Sequence, residues 1–462
     1  MLKTASKRII STVDTVHRTS IARTMATASR VQLTTHEEPA FAVSQASTAD
    51  KAKFASDLLQ KNHDNYHIYF NHDGFHNHIA HHLLTTYALA ASTKDLQYHF
   101  DSNKSYQRPM QPYDQAVVEN MSDPAKFTKY LGNEKHYHDF LQFFQNDIDK
   151  QGWQATLNTY VFGENDLAHK ILPLMFAGFL HPIIHLGFGV EFEQPAIIAE
   201  ALAQAATHTN WIAKFLWSTE DAVRVNRSKP SKFMVELLDE IRNDKDLYNS
   251  VQMKDGNKVR DGVLARAGDR MISYAAQYHV KPSELEEKTA EMINGAAYFT
   301  GGAQRKDRDV KFDFFYMHCV NSSIFWPVFL KQSWLSEASK VRLLEWKVWN
   351  DLAMYVSRKS PEIHLDEIRN YKPKQPSDWT KVVERVRAHE DDGHASKMVR
   401  ALAHGQQSCA PYDSKAEFRL KKDDWLKLAH MTIDSVENDG PTWVRSTGFD
   451  QAWEKVPLRS QM

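Results

Sequence analysis

An all-α protein is the fold class this sequence predicts: a single large helical domain behind a disordered or cleavable N-terminal extension. Three observations carry the expectation. Apolar residues recur at helical spacing in one segment after another from about residue 48. Strand signals are few, and no Asn-Gly turn separates alternating runs. There is no internal repeat and no low-complexity linker, so residues 48–440 read as one domain, with 441–462 as a C-terminal extension.

Residues 1–30 stand apart. They carry Lys3, Lys7, Arg8, Arg18, Arg23 and Arg30 against one acid, Asp14, and are rich in Ser and Thr. That is the composition of a mitochondrial presequence, and equally of a disordered tail or of an upstream start with Met25 as the true initiator. The compartment expected is therefore mitochondrial or cytoplasmic.

Helices are then expected in order at 52–61, 75–90, 136–150, 192–217, 233–242, 268–278, 282–297, 312–330, 336–355, 378–389, 392–405 and 425–439. In 75–90, Phe75, Ile79 and Leu83 form one apolar stripe. Residues 250–262 read as a polar loop, turned at Asp255–Gly256.

Composition excludes several classes. A net charge of -1 lacks the basic excess of a general nucleic-acid binder. Only Cys319 and Cys409 are present, so no disulfide framework is expected. GFGVEF at 187–192 lacks the full dinucleotide fingerprint, and neither a phosphate-binding GxxxxGK[ST] nor a G-x-S-x-G elbow occurs.

The most informative stretch is ILPLMFAGFLHPIIHLGFG, residues 171–189. It approaches the length of a membrane span. Pro173, Pro182 and a mean hydropathy of -0.55 for the chain argue instead for a buried helix-turn-helix and no membrane span. Pro182 suits a first helical turn, and Gly187 and Gly189 are expected to end or bend the helix. His181 and His185 lie one turn apart, a spacing that serves either a metal or two buried, hydrogen-bonded imidazoles.

Other histidines sit in comparable settings. His78 and His82 share the inward face of 75–90, whereas His76 and His81 need not. His318 is a lone polar ring in an aromatic helix. His394 and Lys397 are three apart in HEDDGHASKMVRAL, with Asp391 or Asp392 as the N-cap. Asn62, His63, Tyr66, His67 and His72 read as loop and surface. A desolvated lysine beside a histidine cluster can take up carbon dioxide and become an anionic carbamate ligand. Lys397 is the first candidate and Lys347 the second, against the alternative of ammonium groups that reach water.

Taken together, YHIYFNHDGFHNHIAHHLL, YQRP, AGFLHPIIHLGFGVEFEQPAIIAEALAQAA, FDFFYMHCVNSS, LLEWKVWNDLAMYVSRKSPE and DDGHASKMVRAL resemble the questin oxidase-like family, in order, from about residue 50 to 440. The resemblance implies a largely fungal, α-helical oxygenase that opens an anthraquinone-type polyketide ring with O2. Family members have been described both as Baeyer–Villiger-type oxidases and as non-haem iron oxygenases. It further implies Fe(II), with four ligands drawn from His78, His181, His185, His318 and His394, and Lys397 as a carbamylated ligand or a neighbour. Arg108, Tyr316 and Trp326 are the candidates for gripping a planar phenolic substrate. Two rivals stand beside this: a metal-free Baeyer–Villiger monooxygenase using NADPH, and a zinc-stabilised binding protein without turnover. A small aromatic substrate and O2 are the expected partners; the oligomeric state is left open.

Overall fold

Side-chain caps set where several of these helices begin. Thr48 opens the Ala49–Asn65 helix by accepting from Lys51 N. Ser336 and Asp378 do the same for Glu337–Ser357 and Trp379–Ala388, and the Asp313 carboxylate accepts from Phe315 N and Tyr316 N at the head of Phe314–Ser323. The computed structural model describes residues 25–35, 39–43 and 48–459; among them the chain is a succession of helices, and β pairing is confined to isolated bridges.

Several expected elements are divided or shifted. The 75–90 segment is helical only over Ile79–Ala88, because Asn77 Oδ1 accepts from Ile79 N and caps it there. Phe75 lies ahead of that helix and is exposed, not part of an inward stripe. The 192–217 segment splits into Pro195–Thr207 and Ala213–Asn226, with His208 in extended backbone at the break. The 312–330 segment splits at Ile324. The polar loop runs at its end into a π-helical turn, Lys258–Leu264. Gly187 and Gly189 neither end nor bend the His181–Glu191 helix. They let Phe325 and Ile198 pack against it, since an added Cβ would lie 2.2 Å from Phe325 Cγ and 2.7 Å from Ile198 Cγ1.

That helix is the centre of the molecule, and all its residues are buried. It packs on Pro195–Thr207, Ile79–Ala88, Phe314–Ser323 and Phe325–Leu330. His394–Cys409 closes the group by packing on Ile79–Ala88 and Phe314–Ser323. A buried ion pair ties its ends: Arg400 donates to both oxygens of Glu191, at 2.5 and 3.1 Å, and to Phe41 O at 3.0 Å. No single described helix is long and apolar enough to cross a membrane. The pair Asp166–Phe176 and Gly178–Glu191 meets the length and composition together, but is bent by 70°.

The packed structure extends past 48–440 at both ends. Ala28, Val31 and Leu33 are buried, and the backbone there bonds to Gln60, Gln194 and Ser56. At the other end Val444, Trp453 and Val456 form a small apolar cluster. Residues 1–24, most of the basic N-terminal segment, lie outside the described residues.

Candidate metal centre

The backbone before His181 is held in a costly conformation. Gly178, Phe179 and Leu180 are all left-handed, with φ of 53°, 55° and 70°. For the two non-glycine residues this costs roughly 1–3 kcal/mol each. The result is a carbonyl aimed at the first ring of the helix: Gly178 O accepts from His181 Nδ1 at 2.6 Å. A side chain at Gly178 would collide with His208, whose Cε1 lies 2.5 Å from the Cβ position.

Three more rings are fixed in the same sense. His318 Nδ1 donates to Phe314 O at 2.7 Å. His78 Nδ1 donates to Asp392 Oδ2 at 2.9 Å, and His394 Nδ1 donates to Asp392 Oδ1. An oxygen acceptor at each Nδ1 leaves each Nε2 with a bare lone pair. The rings converge: His78, His181 and His394 bring ligand atoms within 4.8 Å of one another. The His318 ring is centred 4.8 Å from that of His181 and 5.2 Å from that of His394.

Without a cation this arrangement is unfavourable. His78 Nε2 and His181 Nε2 lie 2.9 Å apart with lone pairs opposed. His318 Nε2 and His394 Nε2 are buried with no hydrogen-bond partner. Orphaned acceptors of this kind cost about 1–3 kcal/mol apiece. A metal ion held by His78, His181 and His394 would satisfy three of these nitrogens, with the His318 ring close by, and the carbonyl and carboxylate partners at Nδ1 are the usual outer support of metal-bound imidazole. The donor set therefore fits a first-row metal that accepts nitrogen ligands.

The electrostatics agree. Burial is the largest cause lowering the His78 pKa, to about 3, and those of His181 and His318 well below their ordinary value. His78, His181 and His318 are thus neutral and free to bind metal near pH 7. Burial also opposes ionisation of Asp392, but His394 and His78 outweigh it and hold the carboxyl well below the usual range. Lys397 is buried here too. Its charge disfavours protonation of His78, His81, His181 and His318. Burial brings its own pKa down to about 8 against the pull of Asp392 and Asp391. Lys347 is elsewhere: its ammonium is wholly buried against Asp351 and donates to Cys319 O.

His185 is not among the converging rings. One turn beyond His181, it takes part in a separate buried chain. His81 Nε2 lies 3.0 Å from His185 Nδ1, and His185 Nε2 donates to Glu200 Oε2 at 2.6 Å. His63 Nδ1 donates to Glu200 Oε1 at 2.6 Å, and Gln145 donates to His63 Nε2. With both its ring nitrogens so engaged, His185 leaves the expected ligand pool. His63, His67, His76, His81 and His82, some of them read as surface or outward-facing, are all buried; His72, also read as surface, is exposed.

A cleft of about 580 Å³ opens onto His76, His78 and His181. Its walls include Phe75, Phe179, Phe314, Phe315, Trp211, Arg260 and Arg445. The expected gripping residues are not on this wall. Tyr316 is fully buried and donates to Tyr355 O. Trp326 is sealed between Phe176 and Phe329. Arg108 stands one residue back, donating to Asn71 O and to Glu134 Oε1 at 3.3 Å, and Glu134 lines the cleft.

Sequence reading missed the cleft aromatics, the cleft arginines and the role of Asp392. The run DDGH held the signal for the last, since an acid two residues before a candidate ligand can reach its ring. A family model described as questin oxidase-like matches residues 75–402. The chain is 41% identical to a Baeyer-Villiger oxidase of Pestalotiopsis fici over 411 residues, 87% of this chain and 93% of that protein. It is 42% identical to a Baeyer-Villiger monooxygenase of a Cryptosporiopsis species over 424 residues, 89% and 95% of the two. Against a questin oxidase of Aspergillus terreus the identity is 37% over 412 residues, 87% and 92%.

Proposed function

The chain belongs to the questin oxidase-like family and is an oxidoreductase, and we propose that it cleaves a ring C–C bond of a planar, anthraquinone-type substrate with O2 at a non-haem Fe(II) centre. The observation that carries this is the buried cluster of His78, His181 and His394, whose ligand atoms lie within 4.8 Å of one another, with the partnerless Nε2 of His318 on a ring centred 4.8 Å from that of His181, beside an aromatic cleft. His78, His181, His318 and His394 would hold the metal. Fe(II) supplies the one-electron chemistry that O2 needs before it reacts with an organic ring.

The protein's own part is to hold, orient and exclude. Asp392 and the carbonyls of Gly178 and Phe314 keep the imidazoles in one tautomer. Phe179, Phe314 and Phe315 offer faces for a flat ring to lie on. Lys397 completes the reading. Its amine, with a pKa near 8, is in part neutral at mildly alkaline pH. Bond formation from that nitrogen to CO2, with loss of one proton, gives an anionic carbamate next to the histidines.

The test combines metal analysis with oxygen uptake. The purified protein is expected to hold stoichiometric iron and to consume O2 with a hydroxyanthraquinone, without NADPH. His181→Ala should lose both iron and turnover, whereas His185→Ala should keep iron. An enzyme active without metal but dependent on NADPH would overturn the iron reading. Bound zinc with no O2 uptake would favour a structural site.

A further inference from the structure

The walls of the cleft are aromatic, but they also carry an arginine that no described residue neutralises. Arg445 is exposed on the cleft, and its guanidinium lies over the ring of Phe314 at 4.8 Å and that of Phe75 at 6.0 Å. No ion pair or hydrogen bond joins its side chain to a described residue. The other charges there are largely engaged. Arg260 is paired with both oxygens of Asp261, and Glu134 is held by Arg108. Asp73 and Glu134 make the wall beside His72 acidic. A negative group is therefore favoured only where Arg445 faces the cleft.

Arg445 is also held firmly for an exposed residue. Phe314 N donates to Val444 O at 2.8 Å, and Val444 N donates to Phe312 O at 3.0 Å. On the other side, Ser446 N and Thr447 N both donate to Asp313 Oδ2, at 2.7 and 2.9 Å. The other oxygen of that carboxylate caps the Phe314–Ser323 helix, which carries His318. One aspartate thus fixes the arginine relative to the metal-site helix. Phe314 spans the gap, its ring centred 5.0 Å from that of His318 and 5.2 Å from that of His394.

We infer that Arg445 is a specificity-determining residue that binds an anionic oxygen of the substrate, a phenolate or carboxylate at the edge of the planar ring system. Guanidinium on an aromatic face is pre-set for this. It stacks with its plane along the ring and turns its N–H groups toward a coplanar oxygen. A flat anion held there lies along Phe314, with its far edge toward His78 and His181. The cleft then selects acidic polycyclic phenols over their neutral ethers and esters. The inference rests on the aromatic-substrate reading above and names the ionic form that the site takes.

Binding to the full-length protein tests it without turnover. The probes are anthraquinone-2-carboxylate and its methyl ester, followed by quenching of tryptophan fluorescence, with Trp211 on the cleft wall as the reporter. The wild type is expected to bind the carboxylate about tenfold or more tighter than the ester, as a charge-assisted contact requires. Arg445→Gln should bind both alike, with its iron content and circular dichroism unchanged, and Arg445→Lys should keep part of the preference. Equal affinities in the wild type, or an undiminished preference in Arg445→Gln, would overturn the assignment. Binding of neither probe would instead overturn the aromatic-substrate reading, and this one with it.

Discussion

Asp392 is the side chain on which two of the converging rings depend. It accepts from His78 with one oxygen and from His394 with the other. Asp392→Asn keeps the shape but presents an N–H to one of the two Nδ1–H groups, so one ring must turn or change tautomer. Partners of this kind are worth about 10–100-fold in metal affinity. The expected result is a loss of that order in a chelator-competition titration, with the fold intact by circular dichroism. Unchanged affinity would show that Asp392 does not support the metal site. The sequence pointed to His78, His181, His318 and His394 one at a time, through their apolar surroundings. It gave no sign that His185 turns away, because spacing on a helix fixes the direction of a ring but not the partner it meets. Glu200 and His81, from two other helices, decide that.

At the scale of elements, most helices were legible because their stripes and caps are local. The breaks were less so. The 192–217 segment is apolar on both sides of His208, where the chain leaves the first helix in extended backbone and His208 meets His76, 2.9 Å between Nε2 atoms. The left-handed turn at 178–180 was hidden too, since Phe and Leu rarely adopt it. The Arg400–Glu191 pair joins two helices that are far apart in sequence, and no local pattern announces it. Both side chains are buried, and Glu191 also accepts from Ala40 N at 2.7 Å. Arg400→Ala leaves that carboxylate buried without its cation. A destabilisation of about 3–5 kcal/mol is expected, read as a lower urea midpoint at an unchanged slope. A loss under about 1 kcal/mol would mean that water replaces the guanidinium.

For the whole molecule, the ends matter more than the sequence indicated. A chain that starts at Met25 keeps Ala28, Val31 and Leu33 in the core, while one that starts at residue 36 loses them. Burial of Val and Leu side chains is worth about 1.5–3 kcal/mol each. The shorter chain should melt several degrees lower, and the Met25 chain should retain those contacts. Equal melting temperatures would show that the segment adds nothing. Acid should also unfold the protein early. His208 and His67 have pKa values lowered to about 4 by burial, and His404 to about 3. Unfolded histidine titrates near 6.5. The unfolded state therefore binds more protons between those values, and stability falls as pH drops from about 6.5 toward 4. Denaturant midpoints across that range check it, and a flat profile would contradict buried neutral histidines. In the function proposed above, His78, His181, His318 and His394 would hold iron next to an aromatic cleft. An anomalous-difference map of a crystal of the protein, with data on both sides of the iron edge, tests it most directly. One iron peak is expected, in contact with the Nε2 atoms of His78, His181, His318 and His394. No peak there in crystals of active protein, or a peak at His185 and Glu200 instead, would contradict the account.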